Sequence, residues 1–263
     1  MAQDPSLTSR SRRVVTRRRL LTALGTAAMP AVAGCSSTSS GSGSETDTAS
    51  PDTETSTMQQ TTSPTEQMDS DTMDPRFGYT GTRGQSAPIE ADHTVSLEIR
   101  PRENAPIPEF YFEPTGLAID VGDTVRFNLA TPHHNVNAYH PALSYTQRVP
   151  DDVPPFSSPI LGAGDYWLYT FEREGVHNIM CAPHEIFGMV GSIVVGSPTG
   201  PGANPVGEAP APHEESRPPE FTAGLVLSDP AMDPENIAEQ GSVSWDDLAP
   251  ESKELRLRPI EEG

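Results

Sequence analysis

The chain has 263 residues, of which 34% are hydrophobic, and it contains 28 prolines and 21 glycines. This low apolar content predicts one packed domain of about 110 residues with unpacked flanks. The 37 acidic residues outnumber the 17 basic ones, so the surface repels phosphates and a nucleic-acid-binding function is excluded.

Residues 1–34 have the pattern of an export signal. Arg17-Arg18-Arg19 precedes an apolar run, 20–34, in an arrangement that resembles a twin-arginine signal. The run is about 15 residues long and is interrupted by a glycine and a proline, so it is too short to span a bilayer. It ends in Val32-Ala33-Gly34-Cys35, which resembles a lipobox. We therefore expect export and a lipid on Cys35 that anchors the chain to the outer face of the cytoplasmic membrane; a soluble secreted protein is the alternative.

Residues 35–88 are rich in Ser, Thr, Asp and Glu and almost free of aliphatic side chains. Such a segment cannot bury enough apolar surface to offset its ordering entropy, and we expect a disordered tether. Without the signal, 36 acidic and 11 basic residues remain, and Lys253 is the one lysine. This balance resembles proteins of extreme halophiles, in particular haloarchaea, in which molar salt screens the self-repulsion. A generic acidic protein is the alternative.

Residues 89–197 contain short segments that alternate apolar and polar side chains, as strands do. The clearest are 94–100 and 123–129. Prolines and glycines separate these from six further candidates, which are 110–112, 117–121, 135–138, 166–171, 176–180 and 190–195. About eight short strands with such breaks, and no long helical period, predict an all-β sandwich.

The stretch 181–189, Cys-Ala-Pro-His-Glu-Ile-Phe-Gly-Met, has the pattern C-x2-H-x4-M. Two histidines, one cysteine and one weak axial methionine are the ligands of an electron-transfer copper site. Cys181, His184 and Met189 would provide three of the four. In an extended strand Cys181 and His184 would be about 10 Å apart, so the loop has to curl, which Pro183 and Gly188 favour.

The fourth ligand has to be a histidine from elsewhere in the chain. His133 and His134 lie upstream, and only one of them can face the ion, because adjacent residues on an extended strand point to opposite faces. His177 shares a strand face with Cys181 but would lie about 13 Å from it. His140 is expected in a turn.

The C-terminal residues 198–263 begin with a proline-rich linker. The rest is acidic, with scattered apolar residues and no motif, and we expect a poorly ordered tail. Asp233-Pro234-Glu235 has the pattern of an N-cap followed by the first turn of one short helix.

His134-Asn135-Val136 followed by C-x2-H-x4-M resembles the cupredoxins, the blue copper family of plastocyanin, halocyanin and azurin. The resemblance covers residues 89–197 and implies a Greek-key β-sandwich with one type 1 copper ion. Carried over to this chain, the four ligands are His134, Cys181, His184 and Met189. His133 is then a residue of the surface or of the surroundings of the site. Asn135 is expected to join the two ligand loops by a hydrogen bond.

The resemblance implies one-electron transfer with redox protein partners, by a monomer that is not an enzyme. In the family, electrons leave through the imidazole edge of the second histidine, here His184, at an apolar patch. Pro183, Ile186 and Phe187 are candidates for that patch. A copper binding and delivery protein is the alternative, because the same ligands would serve it. A fragment-like copper oxidase is disfavoured, because the sequence has no His-x-His pair for further coppers.

Overall fold

The structure is a computed structural model that describes residues 73–103, 105–208, 211–212 and 214–257. The export signal, Cys35 and most of the predicted tether lie outside the described residues. The described part contains ten strands and two α-helices. In chain order these are β1 (Tyr79–Gly81), β2 (His93–Arg100), β3 (Glu109–Glu113), β4 (Gly116–Ile119), β5 (Thr124–Leu129), β6 (Asn137–Ala138), β7 (Tyr166–Thr170), β8 (Gly175–Met180), β9 (Val190–Val195), α1 (Phe221–Leu227), α2 (Pro234–Gln240) and β10 (Ser242–Val243).

The strands form two five-stranded sheets. Sheet 1 has the order β1-β7-β5-β2-β3, and sheet 2 has the order β10-β4-β9-β8-β6. The pairs β2–β5 and β4–β9 are parallel, and the other neighbours are antiparallel. The core between the sheets includes Phe127 and Trp167 of sheet 1 and Ile179 and Ile193 of sheet 2. The predicted β-sandwich is confirmed, with two short strands, β1 and β10, beyond the eight expected.

Strands β8 and β9 are buried along their whole length, whereas β5 is buried mainly at alternate residues. On β8, Ile179 belongs to the core between the sheets, while Val176 and Met180 belong to a second apolar cluster. A strand that is buried on both faces needs a cover on each of them. Sheet 2 is therefore covered on its outer face as well.

The C-terminal segment provides this cover, which corrects the expectation of a poorly ordered tail. Val226 of α1, Ile237 of α2 and Trp245 are buried in the second cluster, and β10 pairs with β4. Each short element contributes only a few apolar residues, so the sequence shows no helical or strand period. The single helix that was predicted is α2, and the Asp233 carboxylate caps it by accepting from the Glu235 backbone N–H at 2.9 Å.

The packed region also begins before residue 89, inside the stretch expected to be a tether. Strand β1 pairs with β7. The aromatic residues of β7 hold the chain next to it: the Trp167 indole donates to the Phe77 carbonyl at 2.7 Å, and the Tyr169 hydroxyl donates to the Pro75 carbonyl at 2.9 Å. Phe77 and Tyr79, aromatic residues in an otherwise polar stretch, were the available signal.

The connections fix which residues meet at one end of the sandwich. Strand β8 ends at Met180, and β9 begins at Val190, so residues 181–189 form the loop between them. Strand β4 runs parallel to β9, and its last residue, Ile119, pairs with Val195. Val121, which follows β4, therefore lies at the opposite end. We call the end that carries residues 131–135 and 181–189 the ligand pole.

Replacing Trp245 tests whether the C-terminal segment is part of the fold. Trp245 is fully buried, stacks on Tyr111 at a centroid distance of 5.2 Å, and donates from its indole to Glu109 at 3.1 Å. Trp245→Ala should lower the free energy of unfolding by about 3 to 5 kcal/mol, because it removes a buried aromatic ring and leaves a cavity. Chemical denaturation of the metal-free protein measures this change.

The matched control is Leu257→Ala, since Leu257 belongs to the same segment but is 53% exposed. It should change the free energy of unfolding by less than about 0.5 kcal/mol. Equal, small effects of the two substitutions would contradict the packing of this segment on sheet 2.

Candidate metal centre

Three donor atoms from two loops converge at the ligand pole. The Nδ1 atoms of His134 and His184 are 3.1 Å apart, and the Cys181 Sγ lies 3.6 Å from the first and 3.4 Å from the second. Within the described residues, these three side chains are the one group of His, Cys, Asp and Glu that could hold a metal ion. The structure thus brings together three of the four ligands predicted from sequence.

His134 is oriented by a hydrogen bond on the far side of its ring. Its Nε2 lies 2.9 Å from the Thr131 hydroxyl, and that hydroxyl donates its own proton to the Leu97 carbonyl at 3.1 Å. The hydroxyl therefore accepts from Nε2–H, which leaves the Nδ1 lone pair directed at the site. Sequence analysis missed Thr131, although a hydroxyl three residues before a ligand histidine is a candidate for such a role.

Asn135 joins the two loops, in the way that was expected of it. Its Oδ1 accepts from the Ala182 backbone N–H at 2.9 Å. The segment that contains Leu161 fixes the other side of the His134 loop. His133 N–H donates to the Leu161 carbonyl, and Leu161 N–H donates to the His134 carbonyl. The His134 loop is therefore tied to one neighbour through the Asn135 side chain and to the other through its backbone.

The second loop curls as its sequence predicted. His184 N–H donates to the Cys181 carbonyl at 3.0 Å, Met189 N–H donates to the His184 carbonyl at 3.2 Å, and Cys181 N–H donates to the Met189 carbonyl at 3.0 Å. Gly188 has a φ of +99°, which strains any side chain, and a Cβ there would lie 2.8 Å from Thr222 of α1. Met189 is fully buried in the core next to Cys181.

Burial dominates the electrostatics of the group. It lowers the pKa of His134 to about 4, with His184 and His133 contributing in the same direction, and it also lowers the pKa of His184. Burial raises the pKa of the Cys181 thiol to about 11, against the opposing effect of the Asn135 and His184 backbones. Both imidazoles are therefore neutral at neutral pH, as metal ligands have to be.

His184 is the ligand candidate at the surface. Its ring stacks on Phe110 with a centroid distance of 4.1 Å and an interplanar angle of 7°, and Phe187 lies 5.6 Å from the Phe110 ring. Ile186 is 38% exposed and Ile160, next to the Leu161 that holds the His134 loop, is 59% exposed. Sequence analysis named Pro183, Ile186 and Phe187 for this surface. It missed Ile160, and it missed Phe110, whose buried ring stacks on His184, because the fold brings both in from other segments.

A buried polar cluster lies behind the same loop, and sequence analysis did not identify it. The Glu185 side chain is buried, and its carboxylate accepts from the Tyr139 hydroxyl at 3.0 Å and from Arg217 Nη1 at 3.0 and 3.2 Å. Arg217 also donates to the Tyr145 hydroxyl at 2.8 Å. Arg217 comes from the proline-rich linker, where no local pattern signals such a role.

Sequence analysis also considered three other histidines, His133, His140 and His177. His133 is exposed with a φ of +67°, and His140 caps the 3-10 turn Pro141–Leu143 by accepting from the Ala142 N–H at 3.0 Å. His177 is buried, with Nε2 2.8 Å from the Arg173 carbonyl. None of the three belongs to the metal-binding group found among the described residues.

The donor triangle fits a copper ion. A point equidistant from three atoms with these separations is about 2 Å from each of them, which is the range of metal–imidazole bonds. One soft sulfur and two imidazole nitrogens, with a thioether residue in the same loop, form a donor set that selects copper. The residues present therefore match the metal.

Comparisons with known proteins lead to the same metal. The sequence profile of a family described as copper binding proteins, plastocyanin/azurin family, matches residues 103–196. A Rhizobium leguminosarum bv. viciae protein named as a pseudoazurin is 33% identical over 108 residues, which cover 41% of this chain and 62% of that protein. The match therefore spans less than two thirds of that relative's length.

The plastocyanin of Prochlorothrix hollandica is 30% identical over 123 residues, which cover 44% of this chain and 82% of that protein. Among solved structures, a Sinorhizobium pseudoazurin is 22% identical, with coverages of 51% and 89% and a TM-score of 0.37. By the sequence matches, the chain belongs to the plastocyanin/azurin family of copper-binding proteins.

Proposed function

We propose that the protein is a one-electron carrier with a single type 1 copper site. The observation that carries this proposal is the triangle of His134 Nδ1, Cys181 Sγ and His184 Nδ1, with separations of 3.1 to 3.6 Å. When bound, copper supplies a Cu(I)/Cu(II) couple, and a site with two imidazoles, one thiolate and a weak thioether suits both states. Met189 is proposed as the thioether ligand.

The protein's contribution is to keep the donors in place. The Thr131 hydroxyl orients His134, and the Asn135 amide fixes the distance between the loops. Because these hydrogen bonds join protein groups to one another, neither has to break when an electron is transferred. A donor set that does not rearrange keeps the energy of reorganisation small.

The alternative, copper delivery, is less well supported by the site. Cys181, Met189 and His134 are buried, so a metal-accepting partner could reach them only through the His184 edge. A rigid and buried donor set suits retention of the metal better than its release.

The proposed contact surface for redox partners surrounds His184, the one partly exposed member of the triangle. Pro183, Ile186 and Ile160 are exposed, and Phe187 is partly exposed. We call these apolar residues the apolar rim. They surround the imidazole edge through which the electron is proposed to pass, and they allow a brief encounter in which two redox centres approach closely. We propose that a monomer makes this contact with redox protein partners.

For location, we propose a lipid anchor at Cys35 on the outer face of the cytoplasmic membrane. The support is the sequence pattern alone, since residues 1–72 lie outside the described part of the chain. The helices α1 and α2 have seven residues each, and the described residues include none that could cross a bilayer.

Substitution of the ligands tests the copper proposal. Cys181→Ser should abolish the intense visible absorption of the Cu(II) protein, because that band arises from charge transfer between the thiolate and copper. His134→Ala should weaken or abolish it, and His133→Ala, at the exposed neighbouring position, should leave it intact. The visible spectrum of each purified variant after addition of Cu(II) measures the effect. Retention of the band in Cys181→Ser would exclude the proposed site.

A charge placed in the apolar rim tests the contact surface. Ile186→Asp should slow electron exchange with the redox partner by tenfold or more, because a carboxylate that loses water at the contact without gaining a partner costs roughly 1 to 3 kcal/mol or more. The visible spectrum should not change. Val121→Asp is the control, since Val121 is 53% exposed but lies at the opposite end of the sandwich. Stopped-flow mixing with a native membrane fraction measures the rate, and equal slowing by both variants would place the contact elsewhere.

The anchor is tested by the distribution of the protein between membrane and soluble fractions. The wild-type protein should sediment with membranes, and Cys35→Ala should appear in the soluble fraction, because the lipid cannot be attached. Immunoblots of both fractions from the expressing cells measure this. If the two proteins distribute equally, simple secretion replaces the lipid anchor.

A further inference from the structure

We infer that Arg217 is a positioning residue for the copper loop, and that its ion pair with Glu185 sets the charge next to His184. This inference rests on the proposed function, because it concerns the reduction potential of the same site. It adds a residue from the C-terminal linker, outside residues 103–196 of the family match. It also gives that linker a role in the chemistry.

The first step is the position of Glu185. It directly follows His184, so the two Cα atoms are about 3.8 Å apart. Glu185 is buried, with an exposed fraction of 1%. It is the first residue of the 3-10 turn Glu185–Phe187, which shapes the loop. The charge of a buried carboxylate is screened by salt much less than that of an exposed one.

The second step is the partner of this carboxylate. Arg217 Nη1 lies 3.0 Å from Glu185 Oε2 and 3.2 Å from Oε1, and the Tyr139 hydroxyl donates to Oε1 at 3.0 Å. Burial and the neighbouring Glu185 raise the pKa of Tyr139, so this hydroxyl keeps the proton that it donates. The cluster of one carboxylate, one guanidinium and one neutral hydroxyl is therefore electrically balanced.

The third step is the anchoring of Arg217 itself. Its backbone N–H donates to the Ser144 carbonyl and its carbonyl accepts from Thr146 N–H, both at 3.0 Å. Its guanidinium lies over the Tyr145 ring, 4.6 Å from the centroid, and donates to the Tyr145 hydroxyl. Arg217 is therefore fixed at its backbone and at its guanidinium. Through its ion pair with Glu185, it holds the 3-10 turn Glu185–Phe187 against residues 144–146.

The fourth step is the effect of charge. Reduction adds an electron to the site, so a nearby negative charge makes reduction less favourable and a nearby positive charge makes it more favourable. With both members present the effects oppose each other. Removing one member leaves the charge of the other, and the two single substitutions should shift the potential in opposite directions. A role confined to loop structure does not predict opposite signs.

The test uses Glu185→Gln, Arg217→Met and the double variant, each loaded with copper and measured by voltammetry. Glu185→Gln should raise the reduction potential, Arg217→Met should lower it, and the double variant should lie between the two single variants. The matched control is Arg126→Met, since Arg126 also stacks on a tyrosine, with 3.8 Å to the Tyr166 centroid, but lies on β5. It should leave the potential unchanged.

A second readout needs no metal. In thermal unfolding of the copper-free proteins, Arg217→Met should lower the melting temperature more than the double variant does, because only the single variant leaves a buried carboxylate without its partner. This comparison also shows whether each variant is folded.

The outcomes separate this inference from the proposed function. If the wild-type protein has no intense visible band with Cu(II), the proposed function fails. If the band is present but the two single variants shift the potential in the same direction, or neither shifts it, the inference about Arg217 and Glu185 fails alone. A double variant less stable than Arg217→Met in the copper-free form would also overturn it.

Discussion

The ligand pole depends on one constraint: three donor atoms from two separate loops have to lie within 3.6 Å of one another. Two flexible loops without further contacts would not keep two imidazoles and a thiol at these distances. The Asn135 amide bridges the loops, and Thr131 fixes the ring of His134. The backbone turn that closes on Gly188 brings His184 back beside Cys181. Each of these contacts is a hydrogen bond or a steric limit between groups of the protein itself, so the fold positions the donors.

The C-terminal segment extends this support beyond the sandwich. Strands β8 and β9 flank the second ligand loop and are buried on both faces, so they require the cover that α1, α2 and Trp245 provide. Helix α1 packs against the loop at Gly188, and Arg217 reaches Glu185 from the linker before it. The loop is therefore enclosed from the core side and from the C-terminal side. Its remaining side is the His184 edge, the contact surface that we propose for redox partners.

Much of this could be predicted from the sequence, and the reasons for success and failure are physical. The alternation in β2 and β5 is a local pattern, and C-x2-H-x4-M is a local motif with chemistry in its residue types. Both could therefore be recognised from the sequence. Phe110, Ile160 and Arg217 act on the site from distant segments, and their roles exist only once the chain has folded. Thr131, three residues before His134, was a local candidate that was missed. The sequence of β9, Val-Gly-Ser-Ile-Val-Val, does not alternate apolar and polar residues. This was a missed sign that sheet 2 is covered on both faces.

The most direct test of the account is the crystal structure of the copper-loaded protein, with the metal located by anomalous scattering at the copper edge. The account predicts one ion bound by His134 Nδ1, Cys181 Sγ and His184 Nδ1, with the Asn135–Ala182 and Thr131–His134 hydrogen bonds unchanged. An ion bound by His133, an ion elsewhere, or loops that have lost these hydrogen bonds would contradict the claim that these contacts of the fold position the ligands.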